Sequence, residues 1–190
     1  MRDAMRALRE ADPDAVVLTA ETSNGAFSDV SDPQDNHLPL GIMSKASSVG
    51  LGIALAQPDR NVVVFDGDGC LLMNLGTMVT VSRAAPTNLV HILLDNDVYA
   101  MTGGQPVPSA GVSDLPAMAR SAGYRNVYEF DDIEQFVTDL PKILEEDGPT
   151  LVNLATVIEL GNPADWVNDT TPRKRWSTAV PEVRARLTGE

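Results

Sequence analysis

Two continuous apolar runs of strand length, Asn61-Val-Val-Val-Phe65 and Leu89-Val-His-Ile-Leu-Leu94, constrain this chain most, because each stops at an acidic turn, Asp66-Gly-Asp-Gly69 and Asp95-Asn-Asp97. A strand that is apolar at successive positions is covered on both faces, as in a parallel sheet between helical layers. The remaining pattern agrees. Met5 and Leu8 predict a short opening helix, Ala15–Thr19 a buried strand, and residues 21–38 a loop. Ser44–Gln57 places Ala46, Val49, Ile53, Ala54 and Ala56 at helical spacing and ends at Pro58-Asp59, with Gly50 and Gly52 read as helix–sheet packing positions. Further helices are predicted near 74–84, 115–122 and 133–145, and strands near 126–130 and 150–156. This alternation predicts an α/β three-layer sandwich with a mainly parallel sheet. Ligands of such sheets bind beyond the strand carboxyl ends, where both acidic turns fall.

At 190 residues and 43% hydrophobic content, the chain is long enough for a full core, and one domain is expected over 1–160. From Gly161 onward Pro163, Trp166, Pro172, Arg173-Lys-Arg175, Trp176 and Pro181 mark a change of character, read as a 161–190 tail that packs on the domain or on a partner. Fourteen basic against 27 acidic residues give a net charge of −13, which opposes nucleic acid or anionic lipid as a partner. An anionic ligand must therefore be held by local groups. The one cysteine, Cys70, forms no internal disulfide and cannot supply an iron–sulfur cluster. No signal-like segment and no apolar run of about 18 residues occurs, so a soluble, cytoplasmic protein is expected.

A magnesium ion on a phosphate takes six oxygens in octahedral geometry, with only one or two protein carboxylates among them. Asp68 offers a carboxylate between Gly67 and Gly69, which permit sharp turning and close approach to a diphosphate. Asn96 can add a side-chain carbonyl oxygen, and Val98 a backbone one. The helix predicted from about Asn74 would aim its free N–H groups at the same region. Either turn alone is ordinary loop chemistry after a strand. Of the two histidines, His91 sits in an apolar strand as a core residue, whereas His37 is a candidate acid or base.

The pair of turns carries more weight than either alone. Gly67-Asp-Gly69, then 26 residues, then Asn96 resembles the thiamine diphosphate and magnesium motif of the thiamine-dependent enzymes, with Asp95 where the family pattern has a first asparagine. The resemblance implies the thiamine diphosphate-binding fold, and within it the diphosphate-binding domain. It implies Asp68, Asn96 and the Val98 carbonyl as metal ligands, and Gly67, Gly69, Cys70, Tyr99 and Ala100 beside the cofactor. Cys70 stands where the family often has serine. Upstream, Gly41-Ile-Met43 resembles the segment in which an apolar wedge, here Met43, supports the bent cofactor while the Gly41 carbonyl receives its amino group. Ser44-Lys45 departs from a usual glycine and apolar residue, which makes Lys45 a candidate for binding the substrate's anionic group.

The stretches 46–59, 71–76 and Thr102-Gly-Gly-Gln-Pro106 resemble the beta subunit of sulfopyruvate decarboxylase and the equivalent half of phosphonopyruvate decarboxylase. That likeness implies non-oxidative decarboxylation of a small 2-oxo acid, with Thr102, Gly103, Gly104 and Gln105 in a loop that closes over the substrate. It also implies an alpha subunit carrying the pyrimidine-binding domain and the activating glutamate, together with self-association. An acetolactate synthase-like carboligase, a 2-oxo acid oxidoreductase and a non-catalytic assembly subunit remain open beside it.

Overall fold

The computed structural model describes residues 1–160 and 174–189. The chain runs α1 (Arg2–Ala11), β1 (Val16–Ala20), α2 (Thr22–Ser28), β2 (His37–Leu40), α3 (Ala46–Ala56), β3 (Val62–Gly67), α4 (Asp68–Leu72), α5 (Thr77–Ala84) and β4 (Leu89–Asp95). It continues through β5 (Val98–Tyr99), a 3₁₀ turn, β6 (Gln105–Pro106), α6 (Leu115–Ala122), β7 (Asn126–Phe130), α7 (Ile133–Glu145), β8 (Thr150–Ala155) and α8 (Trp176–Thr188). Six strands make one parallel sheet in the order β2-β1-β3-β4-β8-β7, and β5 and β6 form a separate antiparallel pair.

The apolar runs are continuous because both faces of the sheet are covered. Val62, Val64, Leu89 and Leu93 pack with α3, α5, α6 and α8 on one side. Val63, Phe65, Val90 and Ile92 pack with α1, α2 and α7 on the other. Each such side chain removed from water contributes roughly 1.5–3 kcal/mol, so β3 and β4 form the centre of the core. At Gly50 an added Cβ would run into the Val64 side chain, so glycine is what lets α3 lie against β3. Gly52 faces open space, and its expected packing role is not found.

Three stretches differ from the sequence expectation. Residues 21–38 are not a plain loop, because α2 and β2 form within or across the end of that span. In α2 the polar, glycine-containing Thr22–Ser28 has weak helix preference, but Phe27 is fully buried and Ser23 Oγ bonds both the N–H and the C=O of Ala20. Pro39 disguises β2, and an edge position tolerates a residue with no N–H. The helix expected from Asn74 begins only at Thr77, as α5, and a separate short helix, α4, precedes it; between them the Asn74 side chain ties to the Ser44 carbonyl (3.1 Å) and Ser48 Oγ (3.2 Å). The N–H groups nearest the acidic turn thus belong to the short α4. Finally, Tyr99–Ser109 includes a small hairpin in which Gly103 and Gly104 take left-handed φ of 111° and 80°.

Residues 174–189 cover the free side of β2. Ala179 and Val183 are buried there, and Arg186 reaches the Asp35 carbonyl and Asn36 Oδ1 at 3.0 and 3.2 Å. Pro163, Trp166, Pro172 and Arg173 lie outside the described residues. No helix among the described residues is long and apolar enough to cross a membrane.

Candidate functional site

A cleft opens at the carboxyl ends of β1, β3 and β4, three adjacent strands of the sheet. Asp68, Gly67, Gly69 and Cys70 form its floor, and Asn96, Val98, Tyr99, Ala100, Met101 and Thr102 one wall. Met43 and the Glu21–Ser23 turn close the remaining sides. Asp68 is 3% exposed; its Oδ1 accepts the Gly69 N–H and its Oδ2 the Asp97 N–H, both at 2.8 Å. The second bond joins the two acidic turns directly. Each carboxylate oxygen has two lone pairs, so both can still ligate a cation.

Burial pushes the Asp68 carboxyl up to about 6, and the neighbouring Asp95 adds to this, while the N–H donors of Gly69 and Asp97 oppose it. Carboxylate oxygens of Asp68, Asp95 and Asp97 lie within 4.8 Å of one another. Asp68, buried beside two other carboxylates, has no ion pair among the described residues, and this donor set fits a divalent cation. Asn96 Oδ1 accepts the Val98 N–H at 3.0 Å, which fixes the side chain while leaving a lone pair. At Gly69 a Cβ would collide with the Tyr99 ring and the Val107 side chain, so only glycine allows this floor to approach the hairpin.

The residues picked from the sequence are partly brought together. Gly67, Asp68, Gly69, Cys70, Asn96, Val98, Tyr99, Ala100, Met43 and Thr102 share the cleft, whereas Gly41 is exposed outside its wall. The Cys70 sulfur accepts the Ser44 N–H at 3.1 Å, and burial with the nearby Asp66 pushes its thiol up. Gly103, Gly104 and Gln105 do not line the cleft, and the Gln105 side chain is engaged by Thr102, with Oε1 accepting from Oγ1 at 2.9 Å. His37 is not brought to the site. It is 1% exposed at the amino-terminal start of β2, its Nε2 lies 2.7 Å from Thr19 Oγ1, and burial, helped by the charge of Lys174, pushes it down to about 3. Lys45 is exposed beside Ser44, with no carboxylate partner among the described residues.

Glu21, Thr22 and Ser23 are cleft residues that the sequence reading passed over. Their signal was present: a polar cluster directly after the apolar β1, at the same kind of strand end as the two acidic turns. Glu21 has φ 55°, and burial raises its carboxyl. Among the described residues four non-glycine positions have left-handed φ, and three of them, Glu21, Ser44 and Asp97, lie in or next to the cleft wall. Strain of this kind persists where the surroundings over-determine the backbone, which is common at ligand sites.

The parallel sheet, with a carboxylate-rich cleft over a glycine turn, defines an α/β ligand-binding domain whose site lies at the strand carboxyl ends. Residues 25–154 match the family model described as the thiamine pyrophosphate enzyme, C-terminal TPP binding domain, and the chain belongs to that family. It is 44% identical over 165 residues to a phosphonopyruvate decarboxylase of Streptomyces hygroscopicus, an alignment covering 83% of this chain and 40% of the relative. It is 43% identical over 145 residues to the sulfopyruvate decarboxylase subunit beta of Methanothermobacter thermautotrophicus, covering 76% of this chain and 74% of the relative. The chain thus spans about two fifths of the first relative and most of the second. In fold it is similar to the thiamine diphosphate-dependent 4-hydroxybenzoylformate decarboxylase of Rhodococcus jostii RHA1, with a TM-score of 0.71 at 23% identity over 84% of this chain and 33% of that one.

Proposed function

We propose that this chain is the diphosphate-binding subunit of a thiamine diphosphate-dependent 2-oxo acid decarboxylase. Its substrate is a small oxo acid with an anionic group on carbon three, of the phosphonopyruvate or sulfopyruvate kind, and its products are an aldehyde and carbon dioxide. The observation that carries this reading is the buried, cation-seeking carboxylate of Asp68, tied by the Asp97 N–H to the turn that holds Asn96. The named relatives support the substrate class.

In this reading Asp68, Asn96 and the Val98 carbonyl would hold magnesium, whose charge would offset that of the buried carboxylate and of the diphosphate. Gly67, Gly69 and the Cys70 backbone would hold the diphosphate, and Met43 would support the cofactor, with the Gly41 carbonyl available to its amino group. When bound, thiamine diphosphate supplies the electron sink for the pair left behind by departing carbon dioxide. The chain's own part is to bind, orient and exclude water, which Tyr99, Ala100 and Thr102 do on the hairpin side. Lys45, which follows Ser44 and has no carboxylate partner among the described residues, attracts the substrate's anionic group against the negative charge of the chain.

In this reading residues 1–160 are the cofactor-binding domain, and 161–190 are a tail to it that packs on the domain or on a partner. The pyrimidine-binding half and the activating glutamate reside on an alpha subunit, as the beta-subunit names of the relatives suggest, and the complex works in the cytoplasm. Calorimetric titration of the chain with its partner, with and without magnesium, tests the cofactor reading. Magnesium-dependent binding of thiamine diphosphate is expected, and its absence would refute it. Product analysis with phosphonopyruvate, sulfopyruvate and pyruvate then tests the substrate: the corresponding aldehyde is expected, and a condensation product would instead indicate a carboligase.

A further inference from the structure

Beneath the acidic turn runs a line of buried polar groups, none of which lines the cleft itself. Asp66 and His91 are 1% and 0% exposed, and Tyr124 is 5% exposed. They lie on the sheet face covered by α5 and α6. Asp66 pairs in register with Leu93, so His91, two residues earlier on β4, is its diagonal neighbour on that face. His91 Nε2 is 3.3 Å from Asp66 Oδ2, and His91 Nδ1 is 3.1 Å from the Tyr124 hydroxyl. The other oxygen of Asp66 accepts the Gly67 N–H at 3.0 Å.

The chemistry gives this line a direction. An imidazole with one proton donates from Nε2 to the carboxylate and accepts at Nδ1 from the Tyr124 hydroxyl, and every polar atom in the line is then satisfied. The line ends on the peptide of Gly67, the residue that places Asp68. A side branch reaches the opposite wall: the charge of Asp66, together with burial, raises the Cys70 thiol, and the Cys70 sulfur accepts the N–H of Ser44, the residue next to Met43. Such an arrangement is expensive in an apolar core, where valine and leucine would pack on the same sites. Its members touch both the metal turn and the wedge loop.

We propose that Asp66, His91 and Tyr124 are positioning residues for the cation site. They fix the Gly67 peptide, and through it the direction of the Asp68 carboxylate, so that a change at Tyr124, outside the cleft, weakens magnesium-dependent diphosphate binding. This rests on the thiamine diphosphate reading above. Supporting groups behind metal ligands typically alter metal affinity 10- to 100-fold when removed. His91→Leu, which leaves Asp66 without its buried donor, should raise the magnesium concentration for half-saturation about tenfold. His91→Gln restores a donor toward Asp66 and should recover most of that loss. Tyr124→Phe removes one hydroxyl at almost constant volume and should show a smaller effect in the same direction.

The test is calorimetric titration of the full chain with its partner subunit, using thiamine diphosphate over a magnesium series, beside a thermal melt of each variant. Weakened magnesium-dependent binding in His91→Leu, recovered in His91→Gln, supports positioning. If His91→Leu does not fold, Tyr124→Phe decides the question by the same measurement. Melting temperatures that fall while half-saturation stays within about twofold of wild type would overturn the proposal and leave the line a purely structural one. A wild-type protein that binds no thiamine diphosphate would refute the cofactor reading itself, and the positioning role with it.

Discussion

Replacing Asp68 by asparagine should remove the cation site and at the same time stabilise the ion-free protein. The carboxyl is 3% exposed and its value rises from 3.8 to about 6, so ionising it in the fold costs about 3 kcal/mol relative to the unfolded chain, at ~1.4 kcal/mol per tenfold change. Asparagine keeps the shape and removes that cost. It has one carbonyl oxygen for two N–H donors, those of Gly69 and Asp97, and leaving one of them unpaired costs about 1–2 kcal/mol. The balance is a gain of about 1–2 kcal/mol, or roughly 2–8 °C in melting temperature for a chain of this size.

The pH dependence has a definite sign. A carboxyl raised in the fold destabilises the native state fully above its folded value and not at all below its unfolded one. The advantage of Asp68→Asn should therefore be present at pH 7, shrink as pH falls from about 6 toward 4, and vanish below that range. Thermal melts in chelator across this range measure it, with a parallel melt in magnesium and thiamine diphosphate. There the order should reverse, because only wild type gains from binding. A variant less stable than wild type in chelator at pH 7, or one still stabilised by the magnesium complex, would refute the reasoning.

Three further outcomes are expected. Ser44→Gly should stabilise the chain by about 1 kcal/mol in denaturant melts, since Ser44 holds φ 70° and glycine adopts that region without strain, a gain only partly offset by unfolded-state entropy. Gly69→Ala should cost about 1–3 kcal/mol and lower cofactor affinity, because the new methyl displaces the Tyr99 ring and Val107 from the cleft wall; unchanged melting and binding would disprove the close packing. Lys45→Met should raise KM for anionic 2-oxo acids severalfold with little change for pyruvate, and equal effects on both would remove Lys45 from substrate binding.

Much of the fold was legible because the apolar runs 62–65 and 89–94 are interrupted only by His91, and a run of that kind has one good solution, a central strand with both faces covered. The helices at 115–122 and 133–145 were readable to the residue, helped at each start by an aspartate whose side chain caps the first turn. β2 and α2 were not, because Pro39 and Gly25 carry the local signals of a loop. Only burial against β1 and α8, which a linear pattern does not contain, overrides them. The cation turns were legible as a spaced pair, and the Glu21 turn was missed because it has no such partner.

Sequence by itself determined the parallel α/β class, the strand ends on which the acidic turns sit, and the spacing that relates Asp68 to Asn96. Those follow from periodicity and residue chemistry, which are local. Tertiary structure decided that His37 is sealed in the core, that Cys70 turns its sulfur to Ser44, and that His91 is bonded between Asp66 and Tyr124. Residues 25 to 33 positions apart in the chain meet in that last group. Such contacts depend on register between strands and on the side of the sheet each residue faces, and only the folded chain fixes both.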